Sequence, residues 1–270
     1  MANSSSGDSV VDRVVRLLTA IPADDRAVPV ADLAERAQLP LTTAQRLVRQ
    51  LASHGLLEAI PGGTVRPGIR LWELANRTAP TLALRQAAMP FMDDVHAVLH
   101  QNVNLAVLDG WEALFVERLS RRGSVPNRAQ VAGRMPVHVS SAGLALMAFQ
   151  PKDLQAHYLG HLAAMSGSVD QVRTPVESGH PHLADIPASA DHVRLLLAEA
   201  AQQGFAQLAG VVDPETWGIA VPVLDRKRRA VASLGVVVPL QEMRLQALMP
   251  ALQTAARGIA RSLGYAPGNH

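Results

Sequence analysis

The sequence predicts an α+β protein in which a small head of helices and one hairpin precedes a larger mixed domain. Three observations carry that prediction. Three amphipathic helical patterns in succession are followed at once by a hairpin signal at Pro61-Gly62-Gly63. Two more hairpin signals, Asp109-Gly110-Trp111-Glu112 and the charged turn Asp225-Arg226-Lys227-Arg228-Arg229, join strand-like runs further along. Strands and helices in that second part do not alternate regularly, which argues against a doubly wound parallel sheet and leaves α+β.

From Ser9, the residues Val10, Val14, Leu17, Leu18 and Ile21 recur at helical spacing, with Asp12, Arg13 and Arg16 elsewhere on the wheel. A loop through Ile21-Pro22-Ala23-Asp24-Asp25-Arg26 follows, and Val30, Leu33, Ala34 and Ala37 give a second, shorter helix with Asp32 and Glu35 near its start. After Pro40 a third helix begins near Thr42, which serves as its expected N-cap. This helix buries Ala44, Leu47, Val48 and Leu51 and leaves Thr43, Gln45, Arg46, Arg49 and Gln50 for another surface. His54-Gly55 stops it, Leu56-Leu57 opens a strand, and Thr64-Val65-Arg66 returns after the Pro-Gly-Gly turn. Helix, helix, turn, helix, hairpin is the order of a winged helix-turn-helix, whose third helix enters the DNA major groove.

From Ile69 to about Leu99 the pattern is helical, interrupted by Pro80 and Pro90. It reads as a linker helix and the first helix of a second domain. The predicted division is residues 1–70 for the winged domain, 71–90 for the linker helix and 91–270 for the second domain. There, Val103–Leu108 and Ala113–Arg118 form a hairpin, and Val137-His138-Val139 reads as a strand leading into Ser140-Ser141-Ala142-Gly143 and a short apolar helix. His192 to Gln203 is amphipathic and ends at Gly204. Trp217–Leu224 and Ala230–Val238 are strands, and a helix from about Gln241 to Leu263 follows them. Ser166 to Ala190, rich in Pro, His, Ser and Gly, reads as a surface loop.

Composition narrows the function classes. Of 270 residues 48% are hydrophobic and 18% charged, an ordinary balance for a chain with a sizeable core. Cysteine is absent, which removes disulfides, thiolate metal sites and a cysteine nucleophile. The opening MANSSSGDS is small and polar, and no run is long and apolar enough to cross a bilayer, so the expected location is the cytoplasm. The net charge of +2 says little, but its distribution says more: between Leu41 and Arg70 the cations Arg46, Arg49, Arg66 and Arg70 face only Glu58.

That local excess supports a DNA-reading role over a helical hairpin that merely packs. Thr42 and Thr43 would contact phosphate or a thymine methyl, Gln45 and Arg46 base edges or backbone, and Arg49 and Arg66 phosphates. Ser140-Ser141-Ala142-Gly143 opens a helix whose unpaired N–H groups would attract a carboxylate, with ordinary N-capping as the alternative. An enzyme is not indicated, since Gly-x-Ser-x-Gly, a phosphate-binding glycine loop and His-Glu-x-x-His are all missing. His157 with His161 and His180 with His182 lack a third ligand and read as solvent-facing, so no metal or cofactor is expected. Asp213-Pro214-Glu215 reads as a turn.

With both parts in view, the chain resembles the IclR family of bacterial transcription regulators over nearly its whole length. Ser9–Val14 is similar to the family's opening helix, Leu39–Leu47 to its recognition helix, and Arg66–Leu71 to the exit from its wing. Gly133–Ala145 resembles the family's most distinctive stretch, and Gly218–Val223 with Ala232–Val236 its two late strands. The resemblance implies a winged helix-turn-helix domain, a linker helix and a C-terminal α/β effector-binding domain whose curved antiparallel sheet cups a small organic molecule. It also implies homodimers or homotetramers on double-stranded operator DNA, acting as repressor or activator.

Two departures sharpen the expectation. Leu41 stands where many relatives carry lysine, which shifts phosphate binding onto arginine. The cup positions that are acidic, thiol or hydroxyl in members binding small keto acids match Leu208, Gly218, Gly235 and Val237 here, so this cup is expected to be roomier and less polar. The expected effector is therefore an aromatic acid or a derivative, held at its polar end by Ser140, Ser141 and the N–H of Ala142, with Trp217 or Met135 as apolar wall. Two alternatives stand beside it: a nucleoid-type binder without sequence preference, and a small-molecule enzyme with a DNA-binding relic.

Overall fold

A computed structural model describes residues 8–22, 27–78, 80–120, 129–167, 189–242 and 244–265. The chain divides into two compact units, Met1–Pro80 and Thr81–His270.

In the first unit, α1 (Val10–Thr19) starts at a capping box: the Ser9 hydroxyl accepts from Asp12 N and the Asp12 carboxylate accepts from Ser9 N. These bonds hold the Asp12 carboxyl below its usual range. Strand β1 (Val28–Pro29) leads directly into α2 (Val30–Arg36). The turn after α2 is set by Gln38 in the left-handed region (φ 52), with Leu39 N bonded to Ala34 O and Gln38 N to Glu35 O. Helix α3 (Leu41–Ser53) follows, then β2 (Leu57–Ile60), β3 (Thr64–Pro67) and α4 (Ile69–Thr78). Ile60 pairs with Thr64 across Pro61-Gly62-Gly63, whose two glycines take φ of 98 and 77. Glycine carries such angles at little steric cost. The core joins Leu17, Leu33, Leu47, Leu57 and Val65, all at most 2% exposed.

The second unit holds a six-stranded, wholly antiparallel sheet in the order β6-β5-β4-β9-β8-β7. Its strands are β4 (Asn102–Asp109), β5 (Glu112–Leu119), β6 (Arg134–Pro136), β7 (Ala206–Ala209), β8 (Thr216–Leu224) and β9 (Ala230–Pro239). Register shifts at Leu105/Ala106 and Val223/Leu224 break the pleat, a device that bends sheets. Helices α5 (Pro80–Leu99) and α9 (Leu245–Ser262) share one core with the sheet, through Met92, Leu105, Ile219, Leu234, Leu252 and Ile259. Helices α6 (Ser141–Ala148), α7 (Lys152–Gly167) and α8 (Ala190–Gln203) belong to the other, with Phe115, Ala220 and Leu146. No described helix is long and apolar enough to cross a membrane.

Several sequence expectations are corrected. Thr42 is not an N-cap: α3 starts at Leu41 with Pro40 as cap and no capping side chain. Val137–Val139 is a 3-10 turn rather than a strand, because β6 already ends at Pro136. Pro90 does not break the helical run but lies inside α5, whose buried Leu84, Ala88, Met92 and Val95 hold both sides of it against the sheet. The last helix begins at Leu245, preceded by a 3-10 turn at Leu240–Glu242. His161 is only partly exposed and stacks on Trp111, centroids 5.9 Å apart. Most of the loop expected from Ser166 to Ala190, with His180 and His182, lies outside the described residues.

Candidate DNA-reading helix and effector cavity

Helix α3 buries Ala44, Leu47, Val48 and Leu51 against the first unit's core, which fixes what its other side presents. Thr42, Gln45, Arg46 and Arg49 are exposed at the i, i+3, i+4, i+7 spacing of one helical face, and Thr43 is partly buried at its edge. Arg49 Nε donates to Gln45 O at 3.4 Å, so that guanidinium lies along the helix. No side chain caps α3; Thr43 N and Ala44 N donate to Pro40 O at 2.9 and 3.0 Å, and the N–H groups of Leu41 and Thr42 lie ahead of these bonds, as suits a helix end that meets a phosphate. Arg66, expected at a phosphate, is also engaged within the wing itself. Its Nε and Nη2 donate to the Glu58 carboxylate at 2.9 and 3.0 Å across the hairpin. That bond, opposed by slight desolvation, lowers the Glu58 carboxyl from its usual range.

In the second unit, a partly open concavity lies against the sheet where α6 begins. Strand register explains its floor. Leu208 pairs with Gly218, Gly218 with Val237 and Val237 with Asn102, one row across four strands. Leu208, Gly218 and Val237 line the cavity, joined by Met135, Val139, Ser140 and Ser141. The next row, Ala206, Ala220, Gly235 and Asn104, lies one pleat further along. Gly235 therefore does not line the cavity; a Cβ there would stand 2.9 Å from Ile219 O and 3.2 Å from Ala220 Cβ.

Ser140 is both the N-cap of α6 and a cavity residue, its hydroxyl accepting from Gly143 N at 3.0 Å. The N–H groups of Ser141 and Ala142 precede the first intrahelical bond, Leu144 N to Ser140 O. Ala142 contributes no side-chain lining and is 6% exposed. Gly218 lets Ser141 approach, since a Cβ there would sit 2.9 Å from Ser141 Oγ. Behind the turn, His138 Nδ1 lies 3.0 Å from the Tyr158 hydroxyl, and Trp111 packs on the Tyr158 ring at 5.5 Å. Burial pushes the Tyr158 phenol well above its usual range, against a smaller lowering by His138.

Trp217 is not a cavity wall. It is 2% exposed in the core shared with α5 and α9, on the other face of β8. Strict alternation along a strand accounts for this: a floor containing Gly218 excludes its neighbour and admits Thr216. Thr216 does line the cavity, as do Ala129, Val139, Val211, Val212 and Asp213, none of which sequence reasoning picked out. Parity with Gly218 was the available signal for Thr216, and adjacency to Ser140 for Val139. Ala129 and the 211–213 loop carry no local pattern that marks them. No group of three or more metal-ligating side chains stands together among the described residues.

Known proteins place both units in one context. The IclR helix-turn-helix domain matches residues 10–61, and the bacterial transcriptional regulator IclR C-terminal domain matches residues 77–170. An IclR homologue from Microbacterium hydrocarbonoxydans, solved in complex with 4-hydroxybenzoate, is 36% identical, with a TM-score of 0.79 over 96% of this chain and 100% of its own. A second, from Microbacterium sp. strain HM58-2, is 34% identical with a TM-score of 0.54 over 96% and 99%. The HTH-type transcriptional regulator XynR of Escherichia coli is 23% identical over 94% of this chain and 97% of its own.

Proposed function

The chain belongs to the IclR family of transcriptional regulators and is a DNA-binding regulator, and from that premise we propose that its C-terminal cavity takes an aromatic acid or a derivative as effector. The observation that carries this reading is the cavity's own composition: an apolar floor and walls of Leu208, Val237, Met135 and Val211, with the start of α6 opening onto it. Aromatic carbon fills the apolar part, and the carboxylate meets Ser140, Ser141 and the N–H groups of Ser141 and Ala142, where the helix dipole favours negative charge. The 36% identical homologue solved with 4-hydroxybenzoate supports the same ligand class. Gly218 puts no side chain on the floor and its row partners Leu208 and Val237 only apolar ones, so that row lacks the polar groups that a two- or three-carbon keto acid requires.

On the DNA side, Thr42, Thr43, Gln45, Arg46 and Arg49 are the residues of α3 proposed to meet a major groove, with Arg66 on the wing at a phosphate. The active species is proposed to be a homodimer or homotetramer on a near-palindromic operator in the cytoplasm. Arg46→Ala is expected to weaken binding to the upstream promoter duplex at least tenfold, while calorimetric titration with 4-hydroxybenzoate stays unchanged. Equal competition by random duplex at fixed salt would instead assign a nucleoid-type binder. Strong glyoxylate or pyruvate binding without benzoate binding would remove the aromatic effector.

A further inference from the structure

Resting on the effector reading above, we propose that Asp213 is a specificity-determining residue, forming a second polar pole of the cavity that accepts a hydrogen bond from a hydroxyl para to the effector's carboxylate. The floor has polarity at two separate places. One is the start of α6, where Ser141 Oγ lies 2.9 Å from the position a Gly218 Cβ would take. The other begins at Thr216, two residues along β8 and on the same face, hence about 7 Å away along the strand. Thr216 Oγ1 donates to Asp213 O at 3.1 Å, which ties the Asp213 loop to that end of the floor. Asp213 Oδ1 accepts from Glu215 N at 3.0 Å, so the side chain is held by its own turn rather than left to sample solvent. Both Asp213 and Thr216 line the cavity, together with the apolar side chains of Val211, Val212, Leu208 and Val237.

A ring with its polar groups at opposite ends matches this layout. A carboxylate takes the α6 pole, the ring lies along the apolar stretch, and a phenolic hydroxyl donates to the Asp213 carboxylate. The carboxylate also selects by exclusion, because a second carboxylate in the para position sets like charges together in a partly buried site. Para-hydroxylated acids are thereby chosen over unsubstituted acids, and para-dicarboxylates are rejected.

The test titrates the full-length protein and its D213N and D213L variants with benzoate, 4-hydroxybenzoate and terephthalate, by calorimetry. The wild type is expected to bind 4-hydroxybenzoate at least tenfold more tightly than benzoate, and terephthalate more weakly than either. D213N keeps a side-chain oxygen for the Glu215 N–H and for the phenol, so it retains 4-hydroxybenzoate and gains terephthalate at least tenfold. D213L loses the preference for the hydroxyl while still binding benzoate, which also shows that it has folded. Equal wild-type affinities for benzoate and 4-hydroxybenzoate, or a D213L variant that still prefers the hydroxyl, would overturn the role of Asp213 and leave the aromatic effector standing. No binding of any of the three acids to the wild type would overturn both.

Discussion

Gly143 shows how a single missing side chain builds the cavity's polar end. A Cβ at this position would stand 2.5 Å from Val137 Cα and 2.7 Å from Val137 O. Both are backbone atoms, and neither can rotate away as a side-chain tip can. Alanine is the better helix former by about 1 kcal/mol, yet overpacking against fixed backbone costs about 1–3 kcal/mol or more and decides the sign. The buried Ser140, 6% exposed, depends on the same contact because its hydroxyl caps Gly143 N. Gly143→Ala is therefore expected to lower the melting temperature by several degrees, at roughly 2–4 °C per kcal/mol for a domain of this size. It should also weaken 4-hydroxybenzoate, because the 137–141 turn is pushed away from the cavity. Differential scanning calorimetry and the ligand titration check the two effects separately; an unshifted melting temperature would mean that α6 moves freely relative to the turn.

At the scale of elements, the wing illustrates what a hairpin does to charge. Pairing of Glu58 with Arg66 across β2 and β3 brings their side chains onto one face, and the resulting bidentate bond is half-exposed, 50% for Arg66 and 53% for Glu58. The pair adds little to stability at such exposure, but it divides Arg66 between a carboxylate and a phosphate. Glu58→Gln should release that division: duplex affinity rises, and the slope of log affinity against log salt steepens by about one unit, the signature of one more phosphate contact. Fluorescence anisotropy across a salt series measures it, and an unchanged slope would remove Arg66 from the DNA contacts. The turns were the most legible elements because their chemistry is local: Pro61-Gly62-Gly63 and Asp109–Glu112 lie between the strands they predict, and Gly204 takes φ 80 at the end of α8. Elements defined by distant partners were not legible. β1 spans two residues and exists through Val65 and Thr64 of β3, while β7 exists through its pairing with β8. Trp217 failed for a third reason, since its bulk suggested a ligand wall whereas the period of the strand sent it into the opposite core.

For the molecule as a whole, α3 belongs to one compact unit and the cavity to the other, each with its own core. An effector then alters DNA binding only through a difference in its affinity for the DNA-competent and incompetent states. Linkage makes that difference reciprocal: whatever factor 4-hydroxybenzoate imposes on operator affinity, the operator must impose on 4-hydroxybenzoate. Such factors are typically about 5–150-fold. The prediction is equality of the two, measured on the same protein by operator anisotropy with and without saturating ligand and by ligand calorimetry with and without saturating operator duplex. Gly218→Val serves as the control, because Gly218 lines the floor and a Cβ there already meets Ser141 Oγ at 2.9 Å. Filling the floor should abolish the ligand's effect while leaving the ligand-free operator affinity within about twofold, since α3 is untouched. Unequal factors in the wild type would mean that the ligand acts through something besides these two states, such as a change of oligomeric state, and the two-state coupling would have to be replaced by an assembly equilibrium.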